Sequence, residues 1–94
     1  MSRYRIFETN HFQSQLGSAK SAVSTRFIRK KLDDYIYPQL RDEPHFGPNI
    51  KKLQDYTPES WRFRIGDFRV FYSIDEKTKV VVMTAIRQRK DAYR

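Results

Sequence analysis

The stretch Trp61-Arg62-Phe63-Arg64-Ile65-Gly66-Asp67-Phe68-Arg69-Val70-Phe71-Tyr72-Ser73-Ile74-Asp75 constrains this chain more than any other. From Trp61 to Ile65, aromatic or aliphatic residues alternate with arginine, the period-two pattern of a strand with one buried face. Gly66-Asp67 then turns the chain, and a two-residue loop led by Gly suits a type II′ hairpin. That turn pairs Ile65 with Phe68, Arg64 with Arg69, Phe63 with Val70 and Arg62 with Phe71. The pairing sorts the faces. Trp61, Phe63, Ile65, Phe68, Val70, Tyr72 and Ile74 share one side, while Arg62, Arg64, Arg69 and Ser73 share the other. The first set needs a cover, so Trp61, Phe63, Phe68 and Tyr72 read as core rather than as a platform for stacking bases. The second set brings three guanidiniums to an exposed face. Like charges directly opposite each other destabilise a sheet, and an anion gripped between two forked donors would offset that cost. The alternative is that each arginine turns toward solvent or an acidic partner of its own.

The rest of the chain supplies the cover. Arg3 to Glu8 alternates charge with Tyr4 and Ile6 and opens the sheet as a short strand. Thr9 or Asn10 caps a short helix carrying Phe12 and Leu16, which Gly17 and Ser18 interrupt. A second helix starts near Ser21 and runs to about Leu40. Val23, Phe27, Ile28, Leu32, Tyr35, Ile36 and Leu40 form its apolar stripe, and Arg26, Arg29, Lys30, Asp33 and Asp34 take the other side. Pro38, Pro44, Gly47 and Pro48 mark the main break, a loop rather than a domain linker, because neither flank is long enough to fold separately. After the polar turn Asp75-Glu76-Lys77-Thr78, the run Val80 to Ile86 is apolar at both parities, as expected of an inner strand covered on both faces. The order is β-α-α-β-β-β. This is an α+β fold, a mainly antiparallel sheet with a helical hairpin packed on one face, and 94 residues make it a single domain over 1–94.

Charge narrows the function. Nineteen Lys and Arg against eleven Asp and Glu leave +8, which suits nucleic acid or an acidic protein as partner and disfavours a membrane span. Residues 62–94 hold nine of the basic residues against four acids. The absence of cysteine removes disulfides, thiolate metal sites and thiol catalysis. No metal or cofactor is expected. The two histidines, His11 and His45, lie outside the sheet segment and are not assigned to catalysis. No run approaches the eighteen apolar residues of a membrane helix, and MSRYRIFETN lacks the apolar region of a signal peptide, so a cytoplasmic protein is expected. The Arg29-Lys30-Lys31 run reads first as a solvated helix face that could add backbone contacts, and Lys51 and Lys52 either reach a nucleic acid or flank Leu53.

The hairpin sequence Arg64-Ile65-Gly66-Asp67-Phe68-Arg69-Val70-Phe71-Tyr72-Ser73-Ile74-Asp75, with the tail Arg87-Gln88-Arg89-Lys90-Asp91-Ala92-Tyr93-Arg94, resembles the RelE/ParE superfamily of bacterial and archaeal toxins over nearly the whole chain. The resemblance implies a RelE-like fold and a cognate antitoxin as partner. It also implies one of two activities: RelE-type members cleave messenger RNA in the ribosomal A site, and ParE-type members poison DNA gyrase without being nucleases. Carried over position by position, the RelE catalytic set falls on Arg62, Arg64, Arg69, Arg89 and Tyr93. Arg87, Lys90, Arg94 and Lys52 would then hold the RNA backbone.

All five positions of that set are filled, which favours the ribosome-dependent nuclease over a gyrase poison or a non-enzymatic basic relative. Cleavage through the RNA's own 2′-hydroxyl needs alignment and stabilisation of charge building on the phosphate, and fixed guanidiniums supply both. Arg69 and Arg89 are assigned as transition-state clamps, and Arg62 and Arg64 as groups that orient the backbone. Tyr93 stacks on a base or protonates the leaving 5′ oxygen, unless it is only a tail aromatic packed on the sheet edge. An arginine is a poor general base at neutral pH, so none of the set fills that role.

Overall fold

The structure, a computed structural model, describes residues 3–17 and 22–88. Its elements are β1 (Arg5–Glu8), α1 (Asn10–Gly17), α2 (Ala22–Lys31), a π-helical turn (Leu32–Ile36), α3 (Tyr37–Asp42), β2 (Ile50–Lys52), β3 (Trp61–Ile65), β4 (Phe68–Asp75) and β5 (Val80–Gln88). The strands form one sheet in the order β1-β5-β4-β3-β2. Only β1 runs parallel to its neighbour, and the other pairings are antiparallel. The helices cover one face, and no described helix is long and apolar enough to cross a membrane.

The hairpin forms with the expected register, from Trp61 opposite Tyr72 to Ile65 opposite Phe68. Gly66 sits at φ +54°, while Asp67 stays outside the left-handed region, the combination a type II′ turn requires. Trp61, Phe63, Val70 and Tyr72 are buried, and Ile65, Phe68 and Ile74 pack at the margin of the same core. The Tyr72 ring stacks on Trp61 with 6.3 Å between centroids. Its hydroxyl donates to the Pro44 carbonyl at 2.7 Å, which ties the loop after α3 to the middle of β4.

Two features of the sheet differ from the sequence reading. Strand β2, which the sequence presents only as the end of a loop, is a fifth strand. Three residues are too few for a period to register, and its place comes from pairing with β3, Ile50 opposite Phe63 and Lys51 opposite Arg62. In β5 the apolar run does not mark a strand covered on both faces: the helices cover one, and Val80, Val82 and Ala85 on the other are only half-buried, so the run owes part of its character to a change of parity. The register shifts between Phe71 and Tyr72, so that Phe71 faces Ala85 while Tyr72 faces Met83. Thr84 is the extra residue of a bulge, and its hydroxyl donates to the Phe71 carbonyl at 3.1 Å. Core parity therefore passes from Val81 and Met83 to Ile86, all buried.

The helix after Ala22 continues to Asp42, but not as one α-helix. Ile28, Leu32, Ile36 and Leu40 are all buried at strict four-residue spacing. On a helix of 3.6 residues per turn, each such step drifts by about 40°. The wider turn over Leu32–Ile36 takes up the drift and keeps the row on the sheet. Phe27 and Tyr35, expected in the buried stripe, are exposed instead. Phe27 leans on Phe68, 6.1 Å between ring centroids, and the Lys31 ammonium lies over both the Phe27 and Tyr35 rings.

The edge of β5 is closed by two devices. Over Val80–Met83 it pairs with β1. Beyond that, Thr9 N–H donates to the Met83 carbonyl at 3.1 Å and the Gln15 side-chain carbonyl accepts from Ile86 N–H at 2.7 Å. Thr9 also caps α1, its hydroxyl accepting from Phe12 N–H at 3.0 Å.

Glu8 locks β1 to the helices. Its carboxylate accepts from Arg29 at 2.8 and 3.2 Å and from the Tyr37 hydroxyl, so Arg29 is engaged rather than solvated. Burial alone would raise the Glu8 pKa, but the hydrogen bonds from Arg29 and Tyr37 outweigh it and hold the carboxyl below its ordinary 4.5. A lowered carboxylate pKa contributes stability that is present above the unfolded value and lost as pH falls through the folded one. Glu8→Gln should therefore cost about 1–3 kcal/mol at pH 7, the scale of buried hydrogen bonds to a charged group. In thermal melts across pH, the gap between wild type and Glu8→Gln should narrow below about pH 4.5. A gap independent of pH would show that packing, not the ionised carboxylate, makes the lock.

Candidate nucleic-acid interface

The outer face of the sheet carries what the helix face cannot. Register places Arg64 opposite Arg69 and Arg69 opposite Arg87, a row of three guanidiniums across β3, β4 and β5. The next row runs Lys51, Arg62, Phe71, Ala85 across β2 to β5. Over these rows the segment between β2 and β3 forms a wall. Leu53 N–H donates to the Ser60 carbonyl at 2.8 Å and closes the loop, and Asp55 stands in the left-handed region at φ 61°.

Wall and sheet enclose a groove of about 690 Å³. Lys51, Arg62, Arg69 and Arg87 supply its charge; Tyr56, Pro58, Phe71 and Ala85 supply apolar surface; Ser60, Ser73 and Thr84 supply hydroxyls. Among the described residues no Asp or Glu lines it. The Nε atoms of Arg62 and Arg69 are buried and have no hydrogen-bond partner among the described residues. Buried N–H donors of charged groups are costly to leave unmade, so this pair is open to an acceptor that enters the groove. Elsewhere on the surface, Arg29, Lys30, Lys52 and Lys79 each have a carboxylate.

Of the residues singled out in the sequence, Arg62, Arg69 and Arg87 meet in the groove. Arg64 belongs to the same row but is exposed beyond the groove's lining. Lys52 stands apart: it pairs with Glu59, and its ammonium lies 5.7 Å from the Trp61 ring, so the structure places it on the other side of β2 from Lys51. Arg89, Lys90, Tyr93 and Arg94 lie outside the described residues. Sequence reasoning left Lys51 undecided and missed Phe71 and Tyr56. Phe71 was detectable, because the register that sets it opposite Arg62 also sets it on the arginine face. Tyr56, in an aperiodic loop, gave no such signal.

The histidines take no part. His11 is exposed on α1. The His45 ring bridges Glu43 at 2.9 Å and Glu76 at 2.7 Å, and its edge meets Trp61 on the core side. The backbone N–H and ring of His45 hold the Glu43 carboxyl below its usual range. Lys79 does the same for Glu76, with the His45 ring and the Tyr4 hydroxyl adding to it. Among the described residues no three His, Asp or Glu side chains converge as metal ligands.

The chain was then compared with known proteins. Residues 9–93 match the family model described as ParE toxin of type II toxin-antitoxin system, parDE. No curated protein matches the chain. Among solved structures, it is similar to the archaeal RelE-RelB complex from Pyrococcus horikoshii, at 27% identity and TM-score 0.64, covering 93% of this chain and 96% of that one. It is also similar to the toxin-antitoxin complex RelBE2 from Mycobacterium tuberculosis, at 21% identity and TM-score 0.68, covering 95% and 94%. A mutant of the E. coli toxin RelE in the free state shares the fold at 15% identity and TM-score 0.64, covering 99% and 90%.

If the arginine row awaits an anion, it is mildly unfavourable in the free protein, by a few tenths to about 1 kcal/mol per facing pair. Arg69→Gln should leave the melting temperature unchanged or raised by a few degrees. Added phosphate should stabilise wild type more than Arg69→Gln. Unfolding of Arg69→Gln in buffer would instead assign Arg69 to the scaffold.

Proposed function

The chain belongs to the ParE toxin family of type II toxin-antitoxin systems, and we propose that it is a toxin that arrests translation by cutting messenger RNA in the ribosomal A site. The observation that supports this most is the acid-free groove in which Lys51, Arg62, Arg69 and Arg87 face one space and two guanidinium Nε donors are buried without partners. Such a surface is complementary to a phosphodiester whose negative charge grows during reaction. In the proposed step the 2′-oxygen forms a bond to the adjacent phosphorus, the bond from phosphorus to the 5′ oxygen breaks, and the 5′ oxygen takes a proton. Arg69 and Arg62 hold the non-bridging oxygens, with Arg64 and Arg87 positioning the flanking backbone. Arg89 and Tyr93 keep the clamp and the stacking or proton-donor roles that the family resemblance implies, and Lys90 and Arg94 add backbone contacts.

No described residue lining the groove is a good base. The reading therefore assigns part of the proton transfer to the ribosome, which makes activity dependent on it and confines it to the cytoplasm. A cognate antitoxin with an acidic or amphipathic segment is the proposed restraint. Toxins of this fold are held in RelE-RelB complexes in the solved relatives.

A second reading is favoured by the family model itself, which is that of ParE: a gyrase poison that uses the same fold without cutting RNA. One experiment separates the two. Brief expression in cells, followed by mapping of message ends, should give upstream fragments with 2′,3′-cyclic phosphate or 3′-phosphate termini. Arg69→Gln should reduce cleavage by about 10²–10³-fold, the cost of removing one preorganised transition-state donor. Arg69→Lys should also lose much of it, since charge is kept but the fork is not. Fragments ending in 3′-hydroxyl would overturn the chemistry, and DNA damage with intact messages would select the gyrase reading.

A further inference from the structure

The two ends of the groove differ in chemistry. One end, nearer the hairpin turn, is cationic, with Arg69 and Arg87 from one row and Arg62 and Lys51 from the next. Toward the other end the charge thins out: Phe71 sits in the same row as Arg62 and Lys51, Ser73 and Thr84 lie beyond it on the sheet, and Tyr56 and Pro58 line the groove from the loop. Successive rows on one face are two residues apart, about 7 Å along a strand. Within a single nucleotide the phosphate and the base are separated by one sugar, a span of the same order. A phosphate seated on Arg69 and Arg87 thus carries its base to the row of Phe71, one step along the strands.

Tyr56 is the conspicuous residue there. It is 59% exposed, a large apolar ring left uncovered at the rim of a groove. The loop that carries it is nonetheless fixed: the Leu53 to Ser60 hydrogen bond closes it, Lys52 pairs with Glu59 across it, and Asp55 holds the left-handed turn directly before the tyrosine. Across the groove, Phe71 breaks the polar character of its face with a second ring, only half-buried. The Thr84 hydroxyl is occupied by the Phe71 carbonyl, whereas the Ser73 hydroxyl has no partner among the described residues and is available to a base edge.

We infer that Tyr56 and Phe71 form a receptacle for one nucleobase, so that the groove takes a single nucleotide as a unit, phosphate on the arginines and base between wall and floor. This deepens the RNA-cleavage reading and rests on it. Tyr56 is a positioning residue: by fixing the base, it fixes the ribose and aligns the 2′-oxygen with the phosphate. Recognition by ring faces tolerates all four bases, because every base presents a π face, and Ser73 adds at most a modest preference through its single hydroxyl.

The test uses the full chain and two small probes, adenosine 5′-monophosphate and ribose 5-phosphate, titrated by NMR. Wild type should bind the nucleotide about 5- to 150-fold more tightly than the sugar phosphate, the span of one base–aromatic stack. Tyr56→Ala should abolish that preference while still binding ribose 5-phosphate, Tyr56→Phe should retain it, and Arg69→Gln should weaken both probes alike. Thermal melts confirm that the variants are folded. Equal affinity of wild type for the two probes, failure to bind either, or a preference that survives Tyr56→Ala overturns the inference. The two readings fail separately: a base preference lost in Tyr56→Ala beside uncut messages keeps the receptacle and removes the nuclease, and cut messages without a base preference do the reverse.

Discussion

Everything on the sheet follows from the register of β3 against β4, which two residues decide. Gly66 in the left-handed region and Asp67 beside it make the shortest hairpin connection whose twist suits its strands. A slip of one residue would carry Trp61, Phe63, Val70 and Tyr72 into water and three arginines into the core. Because burying an unpaired guanidinium is far more costly than exposing a ring, the slipped state is excluded by its charges as much as by its lost apolar burial. The arginines therefore act on folding, whatever their part in function. Their alternation with apolar residues makes the hairpin readable in only one way.

The two faces that result manage charge by opposite rules. On the helix side, charged groups near the core are paired: Glu8 with Arg29 and Tyr37, His45 between Glu43 and Glu76, Lys79 with Glu76. These contacts join β1, the helices and the turn before β5, elements far apart in the chain. On the outer side, among the described residues, the cations stand without carboxylates and two of their donors are buried and unmet. A sheet can hold such a face only because the opposite face is covered by a continuous core from Phe12 to Ile86, where a single Leu32→Ala would cost about 2–5 kcal/mol. The few tenths to about 1 kcal/mol lost per arginine pair is small beside that, so the repulsion is tolerated.

What was legible in the sequence was what repeats. Period two gave the hairpin, its faces and the Arg64 to Arg69 pairing, and the helical stripe gave Ile28, Leu32, Ile36 and Leu40. Features without a period escaped. Strand β2 is three residues long, and its strand character comes from Phe63 and Arg62 across from it. The bulge at Thr84 changes parity inside a run of apolar residues, where every parity looks alike. Phe27 and Tyr35 fit the helical stripe by count, yet the π turn swings the row and leaves them at the surface under the Lys31 side chain. Lys51 and Lys52 are adjacent and chemically identical, and only the direction of a strand that the sequence does not announce separates groove from far side. The groove's loop wall is tertiary in origin, and Tyr56 became visible only once that loop was closed over the sheet.

The side-chain chemistry also explains why this face is arginine-rich where lysine would supply the same charge. A guanidinium keeps its proton at any physiological pH and presents donors in a fixed plane, so Arg62 and Arg69 hold an anion by geometry and are unable to exchange protons with it. Lysine, whose pKa falls readily on desolvation, would add a titrating group and lose the fork. A site built on arginine thus commits to alignment and charge stabilisation and gives up proton transfer. Among the described residues the groove has no carboxylate and no histidine to restore it. Under the proposed nuclease reading, dependence on a larger partner follows from that choice of side chain rather than from the size of the protein.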